Sequence, residues 1–397
     1  MISSIRKQYN EAFSTEKYQA FLRDLDEGHP GAIAFRIAET PVFIPTTFLH
    51  QLTEACSDIL RVIQQPDFKK HTDGAVPKRL EVPGETDHPE FMVFDFAIST
   101  DGKGGLIPQL VELQGCPGIN VFQQRLAKGY RHHFHIPDDF SHYLSGYDDP
   151  KYKVLLREII VGDHDPGEVI LLDVRPDQQK TRIDFYLTKD ELGIASVGIT
   201  ELQREGRKLF YYRQGKKTRV RRIYNRLNFD DLLARKRTLG KSLDLTHRMD
   251  VQWAPHPNWF YRVGKYTLPL LSSKYVPPAY YLNKLAVLPA DMENYVLKPL
   301  FSHAGQGVLL DVKKTVIEKL KNPQDWILQR KVDYASAIQT PEGPAKCGIS
   351  LMFFWKDGAE TPTLVQNLCR LSKGTMPGGR YHANRKWAGT SICFFEQ

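Results

Sequence analysis

Asn294–Asp333 reads NYVLKPLFSHAGQGVLLDVKKTVIEKLKNPQDWILQRKVD. Tyr295-Val296-Leu297 is a short apolar run that ends in Lys298 and is stopped by Pro299. A loop holding Gly305, Gln306 and Gly307 follows, then a second apolar run from Val308 to Val312. Val316, Ile317 and Leu320 keep helical spacing, and a third apolar run, Trp326 to Leu328, closes the unit. The pattern predicts strand, glycine loop, strand, helix, strand. Glycines in such a loop let backbone N–H groups close on an anion with no Cβ in the way. A lysine on the adjoining strand adds a point charge for the same phosphates. The spacing is not that of a P-loop, which needs Gly-Lys-Ser/Thr at the start of a helix, nor that of a three-glycine dinucleotide fold. A plain β-hairpin turn also accounts for the stretch.

Upstream, Phe91–Asn120 reads FMVFDFAISTDGKGGLIPQLVELQGCPGIN, two strands joined by a turn at Asp101 to Gly105. Residues two apart on a strand share a face, so Glu112 and Gln114 point the same way, and Asp95 on the partner strand can face them. Two carboxylates and an amide oxygen form a hard-oxygen set suited to Mg²⁺ that also binds phosphates. A half-exposed hairpin with polar residues turned to water would read the same way.

The composition of the 397 residues is that of an ordinary globular chain, with size for two or three subdomains. No apolar stretch reaches the length of a membrane span, and the start, MISSIRKQYNEAF, has no secretory h-region. Cys56, Cys116, Cys347, Cys369 and Cys393 are scattered without a CxxC pair, which favours reduced thiols and a cytoplasmic setting. The net charge of +8 suits a protein that handles polyanions such as ATP, and equally a weak attraction to nucleic acid.

Along the chain, a helix is expected near Glu16 to Leu25, and a better one from Thr46 or Thr47, whose apolar face is Phe48, Leu52, Cys56, Ile59 and Ile63. A polar loop fills roughly 66–90. A helix is expected from Ile119 to about Tyr130; His132, His133 and His135 after it could hold a metal, although a helix dipole explains such a cluster more simply. Residues 151–250 alternate: a strand at Glu168 to Asp173, a helix at Thr181 to Leu192, a strand at Ala195 to Thr200, then a hairpin into the basic run Gly215 to Arg222. This predicts a small parallel α/β layer. The basic run reads as a solvated hairpin, with an anion site or a nucleic-acid patch as alternatives; it lacks a repeated pattern of exposed aromatics. Pro255 and Pro257 mark a boundary, and a short helix carries Lys265 towards Tyr275-Val276-Pro277-Pro278. Ile349 to Trp355 and Thr363 to Leu371 continue a sheet, with Arg370 near the end of its last strand and a basic glycine-rich loop beyond.

In this order the parts resemble the circularly permuted ATP-grasp enzymes, the group of glutathionylspermidine synthetase-like ligases. The metal-type hairpin comes first, the α/β segment with VRRIYNRL second, and the nucleotide lid YVLKP…GQGV…WILQRKV last. The resemblance covers roughly residues 45–395 and implies a mixed α+β and α/β architecture in three parts. These are 1–150 with the metal-binding half of the core, 151–255 as a pre-ATP-grasp-like layer, and 256–397 as lid and remaining sheet. It implies ATP and Mg²⁺ as cofactors, with Asp95, Glu112 and Gln114 as metal ligands. It casts Lys298 and Lys265 as phosphate lysines, with Lys274 and Lys284 as alternatives to the latter, and Gly305, Gln306 and Gly307 as the phosphate cover. Gln329 and the backbone of Arg330 to Val332 would be the adenine hinge, Asp333 a ribose acceptor, and Lys298 with Arg370 the catalytic cations. The implied activity is a carboxylate–amine ligase working through an acyl phosphate on small-molecule or peptide acids and amines, with no membrane partner and no nucleic acid. A nucleotide binder without ligation and a basic nucleic-acid binder are the alternatives. Three departures stand out: the family has Asn where Gln114 stands, Arg where Val93 stands, and an Arg-Glu-Gly run absent from this glycine loop. If the resemblance holds, the 91–114 hairpin shares a sheet with 349–371, and Lys298 and Glu112 face one cleft.

Overall fold

The computed structural model describes all residues except 230, 233–234, 236–238, 240–242, 303–304 and 375–387. The N-terminal third holds α1 (Ser3–Ala12), α2 (Thr15–Asp26), β1 (Val42–Ile44), α3 (Thr46–Ile63), α4 (Phe68–His71), β2 (Phe91–Thr100), β3 (Leu106–Gln114), α5 (Phe122–His133) and β4 (Phe140–Ser141). Next come α6 (Asp149–Ile160), β5 (Val169–Asp173), α7 (Arg182–Leu192), β6 (Ala195–Gly198), β7 (Gln203–Glu205), β8 (Lys208–Arg213), β9 (Lys216–Val220), β10 (Arg222–Asn225) and β11 (Gln252–Ala254). The remainder contributes β12 (Ala279–Tyr281), β13 (Tyr295–Pro299), β14 (Trp326–Arg330), β15 (Ile338–Thr340), β16 (Gly343–Phe354), β17 (Thr363–Ser372), β18 (Ala388–Ser391) and β19 (Cys393–Glu396).

The largest sheet is antiparallel, in the order β18-β17-β16-β2-β3, so the hairpin from residues 91–114 and the strands from 343–391 form one layer. Alternation gives this sheet two faces. Cys347, Ile349, Leu351 and Phe353 join Phe94, Phe96 and Ile98 against α3, whose Phe48, Leu52, Cys56, Ile59 and Ile63 supply the facing stripe. The other face is apolar at one end, where Phe91, Val93, Met352 and Phe354 pack with α5 and α6. At its opposite end it turns polar.

A wholly parallel sheet, in the order β11-β10-β5-β6, forms the expected α/β layer. Its helix α6 was not expected from the sequence, although Asp148, whose side chain accepts from Lys151 N, and Pro150 in the first turn mark its start. The expected helix from Ile119 begins instead at Phe122, because the buried Asp184 carboxylate accepts the N–H groups of Asn120, Val121 and Phe122 at 3.2, 2.7 and 3.0 Å.

The segment expected to be a lid forms the antiparallel sheet β12-β14-β13, and it departs from expectation in two places. The run Val308 to Val312 makes no strand; Leu309 forms one isolated bridge to Leu297, and only Val312 is buried. The charged helix after it shrinks to one turn, Lys314–Ile317, with no side-chain cap and no buried residue. The expected helix at Lys265 is a helical turn at Trp259–Arg262 followed by a 3₁₀ segment, Lys265–Leu270, broken by Pro269. Arg370 lies near the end of the strand expected at Thr363 to Leu371, now β17, but that strand is not the last: β18 pairs beside it and β19 runs parallel to β1. Among the described residues, no helix is long and apolar enough to cross a membrane.

Candidate functional site

Asp95 and Glu112 stand directly opposite one another across β2 and β3, with Val93 opposite Gln114. A bulge at Val111 breaks the register next to the pair. On the neighbouring strand Ser350 stands opposite Asp95, and Arg370 lies on the same face one strand further. Both oxygens of the Asp95 carboxylate accept a hydrogen bond: Gln114 Nε2 donates to Oδ2 at 2.6 Å, and Ser350 Oγ donates to Oδ1. Burial pushes the Asp95 carboxyl above its ordinary range; Arg370 opposes this shift, while the nearby Glu112 adds to it.

Two lysines reach this face from the C-terminal half. Lys298, buried on β13, donates from Nζ to the carbonyl of the bulge residue Val111 at 3.0 Å. Lys265 lies 3.5 Å from Glu112 Oε1 and also donates to Ser302, to its carbonyl and, at 3.3 Å, to its hydroxyl. Desolvation lowers Lys298 to about 8, with Glu112 pulling it up and Lys265 pushing it further down. Lys274 and Lys284 are elsewhere: Lys274 pairs with Glu54 at 3.0 Å, and Lys284 lies over the Tyr281 ring.

Gly305 and Gly307 both sit at φ near +72°, where a side chain would be strained. Gln329 is buried on β14, and both atoms of its amide lack a partner, an unusual cost for a polar group. In the segment expected to be the hinge, the N–H groups of Arg330 and Lys331 already bond to Pro278 O and Asn294 O. The Asp333 side chain is exposed, and its carbonyl accepts from Ser99 Oγ at 2.6 Å, which ties this segment to the end of β2.

Reading the sequence missed Ser350, Ser302 and Tyr334. Ser350 is the one hydroxyl in the run Ile349 to Trp355, and that isolation was the available signal. The charges of Asp95, Glu112 and Arg370 all act on Tyr334, whose hydroxyl burial pushes up. Cys116 places Sγ 4.0 Å from Gln114 Oε1, and burial lifts its thiol to about 12, so it is a protonated neighbour rather than a nucleophile.

Two other sequence candidates resolve differently. His133 bonds to Asp24 at 3.1 Å and meets His132 edge-on, and no cluster of three His, Cys, Asp or Glu residues fit for a metal occurs among the described residues. In the basic run, Lys217 pairs with Glu205 and Arg221 with Glu168, while Arg222 turns inward to the carbonyls of Ile159 and Ile160 at the end of α6. The basic glycine-rich loop lies largely outside the described residues, at 375–387.

Asp95 and Glu112 form an acidic pair flanked by an amide, which fits a hard divalent cation bound with a limited number of protein ligands. No protein-family profile and no curated protein matches the chain by sequence. Its shape does match a solved structure: a glutathione synthetase like-effector (GSS30) from Globodera pallida in apo form, at a TM-score of 0.58 and 11% identity, covering 97% of this chain and 98% of that one. At that identity the likeness concerns the fold, and the chain has the mixed α/β fold of a glutathione synthetase-like protein.

Proposed function

We propose that the chain is a circularly permuted ATP-grasp protein acting as an ATP- and Mg²⁺-dependent carboxylate–amine ligase. The carrying observation is that Lys298 and Lys265, some 150 or more residues from Asp95 and Glu112 in sequence, reach the same hairpin, Lys298 at Val111 O and Lys265 at Glu112. That arrangement joins cations for phosphate to a carboxylate pair for the metal, the minimum a triphosphate site needs. The unpaired Gln329 amide offers a donor and an acceptor of the kind a purine edge uses.

Asp95, Glu112 and Gln114 would hold Mg²⁺, which when bound supplies positive charge for phosphate oxygens. The other work falls to residues of this chain. Lys298 and Lys265 exchange Val111 O, Glu112 and Ser302 O for phosphate oxygens, the glycine loop covers them, and Arg370 faces the substrate carboxylate. That carboxylate attacks the γ-phosphorus, and ADP leaves. The amine nitrogen then forms the C–N bond as the bond to phosphate oxygen breaks; phosphate departs and the amine's protons pass to solvent. Positioning and charge neutralisation carry the rate.

One observation favours a second reading, nucleotide binding without ligation: Gln114, where the family has Asn, turns its amide N–H onto an oxygen of the metal-type carboxylate Asp95. Titration calorimetry with a non-hydrolysable ATP analogue should show binding that Mg²⁺ strengthens. ADP release on adding candidate acids and amines identifies a ligase, whereas binding without ADP release identifies the second reading. Absence of nucleotide binding rejects both.

A further inference from the structure

Asp95 and Glu112 stand directly opposite one another across β2 and β3, and like charges so placed repel unless something offsets them. Each carboxylate is answered from within the chain. Asp95 receives the Gln114 amide and the Ser350 hydroxyl, both neutral donors. Glu112 has a full counter-charge: Lys265 Nζ lies 3.5 Å from its Oε1, and the lysine side chain is only 4% exposed against 26% for the carboxylate. A buried ammonium group and a divalent ion cannot share one carboxylate cheaply, because the two positive charges repel at short range.

Lys265 is also a cross-tie between two parts of the chain. Its backbone belongs with the hairpin, since nearby Val263 accepts the N–H of Gly115 at 2.7 Å. Its Nζ reaches the other way to Ser302, donating to the carbonyl and, at 3.3 Å, to the hydroxyl. Ser302 follows β13 and leads into the loop that carries Gly305 and Gly307. One ammonium group thus holds a metal-type carboxylate and the start of the glycine loop at once. Lys298 differs, because its bond goes to Val111 O, a neutral acceptor.

We propose that Lys265 is a built-in counter-cation that trades places with the divalent ion. It occupies Glu112 in the empty protein and disfavours a free ion there; on leaving, it also lets go of Ser302, so metal entry and release of the glycine loop are one event. The proposal rests on reading Asp95, Glu112 and Gln114 as the divalent-cation site. An ion that arrives with phosphate offers the displaced ammonium group new oxygens, whereas an ion that arrives alone leaves it without a partner.

The test uses the full chain without nucleotide and Mn²⁺ as the probe, with free Mn²⁺ read by electron paramagnetic resonance. Lys265→Met keeps most of the buried side-chain bulk and removes the charge; it should bind Mn²⁺ at least about tenfold more tightly than wild type. Adding Glu112→Gln should abolish that gain, and a cooperative thermal melt shows that each variant is folded. A second measurement needs no variant: in wild type, acetylation footprinting by mass spectrometry should find Lys265 protected without metal and reactive at saturating Mn²⁺. Equal or weaker Mn²⁺ binding by folded Lys265→Met, a gain that survives Glu112→Gln, or Lys265 equally protected with and without Mn²⁺ would overturn the proposal. The exchange observed in a protein that fails to bind ATP analogue would keep the proposal and remove the nucleotide reading; ATP-analogue binding without the Mn²⁺ gain would do the reverse.

Discussion

Lys298 is buried near Glu112, and its lowered pKa gives it a testable pH signature. The unfolded chain binds more protons than the folded one between about 8 and the ordinary 10.5, so wild-type stability rises with pH across that window and the burial penalty is complete below it. Lys298→Met should therefore be more stable than wild type at neutral pH, by an amount on the order of a few kcal/mol, with the advantage fading towards pH 10.5. Denaturant titrations at several pH values check this, and a gap independent of pH would contradict it. The same variant should lose nucleotide affinity, and any ligase turnover should fall by at least about 100-fold. The sequence made Lys298, Asp95 and Glu112 visible because strand alternation and a glycine loop place charges predictably. Ser350 was hidden because a hydroxyl within an apolar run reads as a tolerated core residue until the register with Asp95 is known.

At the scale of elements, the hairpin's position depends on one close approach. Gly115, directly after Gln114, donates its N–H to Val263 O at 2.7 Å, and a Cβ added there would lie 2.1 Å from Trp259 O and 2.8 Å from its carbonyl carbon. Both are backbone atoms that cannot rotate away. Gly115→Ala should lower the melting temperature by several degrees and weaken nucleotide binding by displacing Gln114; a variant that melts and binds like the parent would refute this. A second tie holds the 66–90 segment. The buried Arg262 donates to Glu85 Oε1 at 2.5 Å, to Asp73 at 3.0 Å and to Lys69 O at 2.6 Å. Arg262→Met should cost about 3–5 kcal/mol by stranding Glu85, and adding Glu85→Leu should restore most of it, as read by equilibrium unfolding. None of this was legible beforehand, since residues 66–90 have no periodicity and their order comes from a partner more than 170 residues away.

For the whole molecule, the order of parts could be read because each carries its own local pattern. Two of the failures fell in the sheet β12-β14-β13: the run at 308–312 has the apolar content of a strand, but β13 spends its main pairing on β14, and the helix after it keeps one turn. The arrangement also makes the central sheet a joint product of distant segments. A fragment ending at Asp333 would keep β2 and β3 yet lose β16 and β17, the middle of the layer, and β19, the partner of β1. Such a fragment should show no cooperative thermal transition and rapid proteolysis throughout. Retained cooperative unfolding would mean that the N-terminal half has a core of its own.

The placement of β16 between two earlier strands and its own successor also sets a schedule for synthesis. About 240 residues separate the end of β2 from the start of β16. At about 5–20 residues per second, the inner edge of the finished hairpin waits on the order of 10–50 s for its partner to emerge from the ribosome. Throughout that interval Phe94, Phe96 and Ile98 lie on a strand with open hydrogen bonds, the configuration most prone to pairing with another nascent chain. The cell that makes this protein must shield that edge, so yield should depend on holding chaperones and on slow, cool expression far more than the stability of the finished fold would suggest.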